Sequence, residues 1–193
     1  MYKSSISPEE IAALEMISFP GEIHVIEKQG KDFDDAVSYL SSKPIIGFDT
    51  ETRPVFSPEQ HSNGTALLQL SGKGKAFLFR LQKLGLPRQL AAILSNPDII
   101  KVGAATADDI RGLQRIRLFK AAGFVDLQTI VGNYGITDKS VKKMTAIILG
   151  SKISKAQQLS NWEAPVLSAS QQKYAATDAW VCLEMYMKLI SHD

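Results

Sequence analysis

Pro44-Ile45-Ile46-Gly47-Phe48-Asp49-Thr50-Glu51 sets a short apolar run between a proline and two acids. Such a run, closed by polar residues, suits a strand buried on both faces better than a surface helix, and it is read here as the central strand of a sheet. Asp49 and Glu51 stand two residues apart at its end, so the period-two geometry of a strand points both carboxylates to the same side. Two acids so placed are able to share an ion. Taken alone, the pair reads as a solvated strand-end acid beside a turn residue, because so short a motif recurs by chance.

Working outward, Ser7-Pro8-Glu9-Glu10 joins an N-cap serine, a proline at the first helical position and a glutamate three residues on, which predicts a helix running through Ile11, Leu14 and Met16. Residues 23–26 read as a strand, and Phe33, Ala36, Val37 and Leu40 recur at helical spacing until Lys43-Pro44 stops them. Beyond the central strand comes a polar loop, 53–64, then strands at 66–70 and 76–79 joined as a hairpin. The chain then alternates: a helix over 87–94, a strand over 99–102, a helix over 107–119, a strand at 124–125, a helix over 141–149 ended by Gly150, an irregular stretch over 151–167 and a long helix over 170–190. The expectation is an α/β fold with a mixed central sheet of about five to six strands flanked by helices. It forms a single domain over 1–193, with 1–42 as a helical arm and strand-helix lead-in and 43–193 as the core.

The bulk properties agree with one ordinary domain: 193 residues, 45% hydrophobic and 22% charged. A formal charge of +2 permits a nucleic-acid partner without pointing to one. The lone cysteine, Cys182, excludes an internal disulfide framework and a cysteine-rich zinc site, which suits a reducing, cytoplasmic setting, and it reads as an inert core thiol. The polar start of the chain and the lack of a long apolar run predict neither a signal peptide nor a membrane anchor.

Two further acidic segments bear on the first pair. In Lys101-Val102-Gly103-Ala104-Ala105-Thr106-Ala107-Asp108-Asp109 a strand runs through small residues into a helix, and Thr106 with Asp109 has the spacing of a capping box. Spacing alone makes Asp109 a cap. Asp126, after the next strand, is read as the N-cap of the helix that follows. In the last helix, Tyr174 and Asp178 stand one turn apart on one face, where a phenol beside an acid is able to orient a water; in isolation they read as a packing tyrosine and a surface acid.

Together these segments resemble the DEDD superfamily of 3′-5′ exonucleases. Phe48-Asp49-Thr50-Glu51 matches its first motif, Val102-Gly103 leading to Asp109 and Leu113 its second, and Tyr174 with Asp178 its third. The similarity extends to the strand Leu67-Leu68-Gln69-Leu70 and the approach Ser160-Asn161-Trp162. Tyr174 assigns the tyrosine branch, within which the chain looks most like Werner-type exonuclease domains, with ribonuclease D more distant. His24, His61 and His192 are not placed to take its role.

The resemblance implies a ribonuclease H-like fold and two-metal-ion hydrolysis at a 3′ end, releasing nucleoside 5′-monophosphates, with two divalent cations, Mg²⁺ or Mn²⁺. It implies that Asp49 bridges both ions, that Glu51 and Asp178 complete one site, that Asp109 holds the second ion largely through water, and that Tyr174 bonds the attacking water. Thr52, Leu67, Trp162, Lys142 and Lys143 are candidate substrate contacts. The lysines, with Lys139, Lys152 and Lys155, and likewise Arg111 and Arg115, also read as solvated faces, and Trp162 also reads as a packing anchor. DNA is the expected partner, since 193 residues leave no room for the accessory helical domains of ribonuclease D; RNA is the alternative. A binding module that lost its chemistry would lack ligands, and all four acids are here.

Overall fold

The structure is a computed structural model and describes residues 2–57 and 63–191. In chain order it contains α1 (Pro8–Ala13), β1 (Glu22–Ile26), α2 (Lys31–Ser41), β2 (Ile45–Thr52), β3 (Thr65–Ser71), β4 (Lys75–Arg80), α3 (Leu81–Leu84), α4 (Arg88–Ser95), β5 (Ile100–Gly103), α5 (Thr106–Ile116), β6 (Phe124–Asp126), α6 (Leu127–Ile130), α7 (Val141–Leu149) and α8 (Ala169–Ile190). The six strands form one sheet in the order β1-β4-β3-β2-β5-β6. The sheet is mixed: β3 runs antiparallel to β2 and β4, whereas β1 pairs parallel with β4, β2 with β5, and β5 with β6. The fold class expected from the sequence is the one observed.

The central strand earns its position by burial on both sides. Ile46 and Phe48 of β2 join Leu68, Leu70, Phe77 and Phe79 in a core closed by Phe33 and Leu40 of α2 and by Leu90 and Leu94 of α4. The opposite face is covered by α7 and α8, where Met144 and Ile148 pack with Val181, Met185 and Leu189. At about 1.5–3 kcal/mol for each large apolar side chain removed from water, these two layers fix β2 in the middle of the molecule.

Gly47 shows how closely α8 lies on that strand. A Cβ at this position would sit 1.9 Å from the Ala179 carbonyl oxygen. The absent side chain lets the residue after Asp178 touch the backbone two residues before Asp49.

The boundaries differ from the sequence reading by three residues or more at three places. β2 does not stop at its apolar run but continues to Thr52, because β3 pairs with it across the acids: Asp49 lies opposite Gln69, and Glu51 opposite Leu67. The Ser7–Glu10 capping box forms, yet α1 ends at Ala13 rather than reaching Met16. Met16 instead bridges to Lys152, and the Ile17 amide donates to the Lys152 carbonyl at 2.8 Å, so long-range pairing overrides another helical turn. α5 stops at Ile116, where Arg117 turns extended and its Nε donates to the Leu86 carbonyl at 2.6 Å. No helix among the described residues is long and apolar enough to cross a membrane.

Candidate active site

Alternation along β2 sends Gly47, Asp49 and Glu51 toward α8 and Ile46, Phe48 and Thr50 toward the other face. α8 enters above the acids from a capping box in which the Ser168 hydroxyl accepts from the Gln171 amide and the Gln171 side chain accepts from the Ser168 amide. The Gln171 side chain also donates to Ser160 Oγ at 2.7 Å and to the Asn161 carbonyl at 3.1 Å, tying the helix start to the irregular segment before it. Two turns into α8, Asp178 meets the strand pair, and carboxylate oxygens of Asp49, Glu51 and Asp178 all lie within 4.8 Å of one another. Tyr174 sits one turn earlier, its ring packed against Trp162 with centroids 6.0 Å apart.

Asp109 is not in that cluster. It lies on α5, whose Leu113 packs into the core on the far face of β2, and it is reached by Thr50, whose hydroxyl donates to its carboxylate at 2.5 Å. The capping role that spacing suggested for it is not observed. The N-cap of α5 is Ala105, in a left-handed conformation (φ 57°) and with no side-chain cap of its own. The first amides of α5 are held instead by Asp126, whose two carboxylate oxygens accept from Ala105 N and Thr106 N at 3.0 Å each. The same side chain accepts from Gln128 N at 2.9 Å, so Asp126 caps α6 as read from the sequence and α5 as well, and Asp109 is free to face the site.

Crowding four acids into a half-buried cleft disfavours their charged forms. Burial, then the charges of Asp178, Glu51 and Asp109, push Asp49 well above the ordinary carboxylate range. Burial followed by Asp178 and Asp109 raises Glu51 to about 9. Burial raises Asp178 to about 7, against the pull of the Tyr174 hydroxyl and the Lys155 charge. Asp109 rises to about 6 through burial, with the Thr50 hydrogen bond opposing. Burial and the neighbouring carboxylates push the Tyr174 phenol upward, so it is a neutral hydroxyl at pH 7.

Among the described residues none of these four acids forms an ion pair with a protein cation. A set of hard carboxylate oxygens, converging without an ion-paired cation among the described residues, fits a divalent cation.

The weaker candidates are placed unevenly. Thr52 is exposed and lines a cavity of about 550 Å³ together with Thr50, Asn63, Asp109 and Arg115. Leu67 is fully buried opposite Glu51, and Trp162 is fully buried behind Tyr174, so the indole packs and offers no open face. Lys142 and Lys143 sit on α7; Lys143 is paired with Asp138 at 2.8 Å, and neither lines the cavity that includes Asp109. Arg111 pairs with Asp108. His24 stacks on Phe77 of the sheet at 5.2 Å, away from Tyr174, while His61 and His192 lie outside the described residues. Cys182 is buried one turn beyond Asp178, and burial raises its thiol, as suits an inert core residue.

The sequence reading missed two residues that place the acids. Thr50 was legible as the residue between two acids that must face the other way, and Gly47 as a glycine inside a strand.

Comparison with known proteins identifies relatives in sequence and in fold. Over 185 residues the chain is 30% identical to the bifunctional 3′-5′ exonuclease/ATP-dependent helicase WRN of Mus musculus, covering 91% of this chain and 13% of that protein. In fold it is similar to the Nibbler EXO domain of Aedes aegypti, with a TM-score of 0.78 at 22% identity and 91% of each chain covered. It is also similar to Escherichia coli ribonuclease D, an exoribonuclease, with a TM-score of 0.76 at 23% identity over 88% of this chain and 44% of that one. The chain thus spans a small part of the longer proteins it resembles. Residues 24–192, which hold every strand from β2 onward and all four acids, match the 3′-5′ exonuclease family, and the chain belongs to that family.

Proposed function

We propose that this chain hydrolyses the terminal phosphodiester at the 3′ end of a nucleic acid, releasing nucleoside 5′-monophosphates. The observation that carries the reading is the convergence of Asp49, Glu51 and Asp178 within 4.8 Å in a chain of the 3′-5′ exonuclease family. Asp49, Glu51 and Asp178, with Asp109 from the far side of β2, would hold two divalent cations, Mg²⁺ or Mn²⁺. When bound, such ions stabilise the charge that develops at the phosphoryl group and make a water nucleophilic near neutral pH.

The chain's own groups account for the rest. Tyr174, a neutral phenol one turn from Asp178, orients the attacking water by hydrogen bonding and does not take its proton. The cavity of about 550 Å³ that includes Thr50, Thr52, Asn63 and Arg115 opens beside Asp109 and receives the terminal nucleotide, with the Arg115 guanidinium available to a phosphate. DNA is the proposed substrate, on the Werner-type character of the motifs. The fold similarity to an exoribonuclease favours RNA as the second reading.

The test is digestion of 5′-labelled single-stranded DNA and RNA of one sequence with Mg²⁺, Mn²⁺ or EDTA. A metal-dependent ladder shortening from the 3′ end, lost in Asp49→Asn, is expected, and its strength on the two sugars decides the substrate. Binding without products on either strand would leave a non-catalytic module.

A further inference from the structure

Gln69 is the polar residue of an otherwise apolar stretch, Ala66-Leu67-Leu68-Gln69-Leu70, and it is fully buried. Both its carboxamide atoms, Oε1 and Nε2, lack a hydrogen-bond partner among the described residues. Each buried polar group left unpaired costs about 1–3 kcal/mol, so a leucine or methionine would serve packing better at this position.

The register shows what the side chain faces. Gln69 lies directly opposite Asp49 in the antiparallel β2–β3 pair, and directly opposed residues share a face with Cβ atoms about 4.5–5.5 Å apart. On its other side it is opposite Leu78 of β4. α8 covers this face with small side chains, Ala175 and Ala179, both fully buried. In the cross-strand row Asp49–Gln69–Leu78, the carboxylate is therefore the polar group within reach of the carboxamide.

We propose that Gln69 is a positioning residue for the carboxylate cluster: with cations bound, its Nε2 donates to the inner oxygen of Asp49 and fixes the orientation in which that carboxylate meets them. This rests on the metal-binding reading above. Groups that hold a metal-ligating side chain from behind typically change metal affinity or activity by about tenfold to a hundredfold when removed.

The experiment compares wild type, Gln69→Met and Asp49→Asn by metal-free melting temperature and by Mn²⁺ dissociation constant from electron paramagnetic resonance. For Gln69→Met the metal-free protein should melt at or above the wild-type temperature, since two orphaned atoms are gone, while Mn²⁺ binds at least tenfold more weakly. kcat on a labelled oligonucleotide should fall with little change in KM. Mn²⁺ affinity within twofold of wild type in Gln69→Met, with binding lost in Asp49→Asn, overturns the positioning role and leaves the metal site standing. Undiminished Mn²⁺ binding in Asp49→Asn removes both. Should Gln69→Met fail to fold, the side-chain amide resonance of Gln69 in the wild-type protein decides: a downfield shift that follows the Mg²⁺ titration supports the proposal, and an unmoved resonance overturns it.

Discussion

Glu51→Gln tests the electrostatic account of the site without any substrate. Between its ordinary value of 4.5 and the value of about 9 it takes in the fold, the folded chain keeps a proton that the unfolded chain has released. The folded state binds more protons in that window, so stability is greatest below it and falls as pH rises through it. At pH 7.5, three pH units above 4.5, the full cost is about 4 kcal/mol at about 1.36 kcal/mol per unit. Solvent reaching this half-buried carboxyl, and repulsion shared with its neighbours, reduce it to about 2 kcal/mol. The amide keeps the shape and does not titrate. In EDTA at pH 7.5 the variant should therefore melt about 4–8 °C above wild type, and at pH 5, where the same arithmetic leaves about 0.7 kcal/mol, the two should nearly coincide. With saturating Mg²⁺ the order should reverse, because wild type gains binding free energy that the variant has forfeited. Scanning fluorimetry at the two pH values, with EDTA or Mg²⁺, reads all four conditions. A metal-free gain that is equal at pH 5 and pH 7.5, or no gain at either, would refute the reasoning.

Three further substitutions probe the supports of the site. Tyr174→Phe should lower kcat about a hundredfold at unchanged KM, the cost of a misplaced reactant, and an unaltered kcat under single-turnover conditions would remove the tyrosine from the chemistry. Gly47→Ala forces a Cβ to within 1.9 Å of the Ala179 carbonyl, so α8 must lift from β2 at a cost of about 3 kcal/mol. A melting temperature within about 2 °C of wild type would show that the helix is less closely seated than described. Asp126→Ala removes the acceptor shared by the starts of α5 and α6 and should cost about 2 kcal/mol, about 1 kcal/mol for each cap. Urea denaturation measures it, and a loss under about 0.5 kcal/mol would place the capping elsewhere.

What the sequence disclosed follows from the range of the interactions that carry each feature. The hairpin, the Gly150 stop of α7 and the capping box of α1 are local, and residues within a few positions of one another determine them. The end of α1 was misread because a partner far along the chain, Lys152, takes its backbone groups. Asp109 was misread from spacing for the same reason. Thr106–Asp109 satisfies the capping pattern, but Asp126, from the end of a neighbouring parallel strand, supplies the acceptor. A capping motif states what a helix start needs; it does not state which side chain meets the need.

The same distinction explains why a three-residue motif organises acids on two faces of one sheet. In Asp49-Thr50-Glu51 the outer residues point at α8 and meet Asp178, while the middle one points the other way and holds Asp109. The strand thus acts as a partition between the three clustered carboxylates and the fourth. Deletion or insertion of one residue within the motif would exchange the faces, sending a threonine to α8 and a carboxylate into the space beside α5. The alternation, and not the count of acids, lets one strand address both helices.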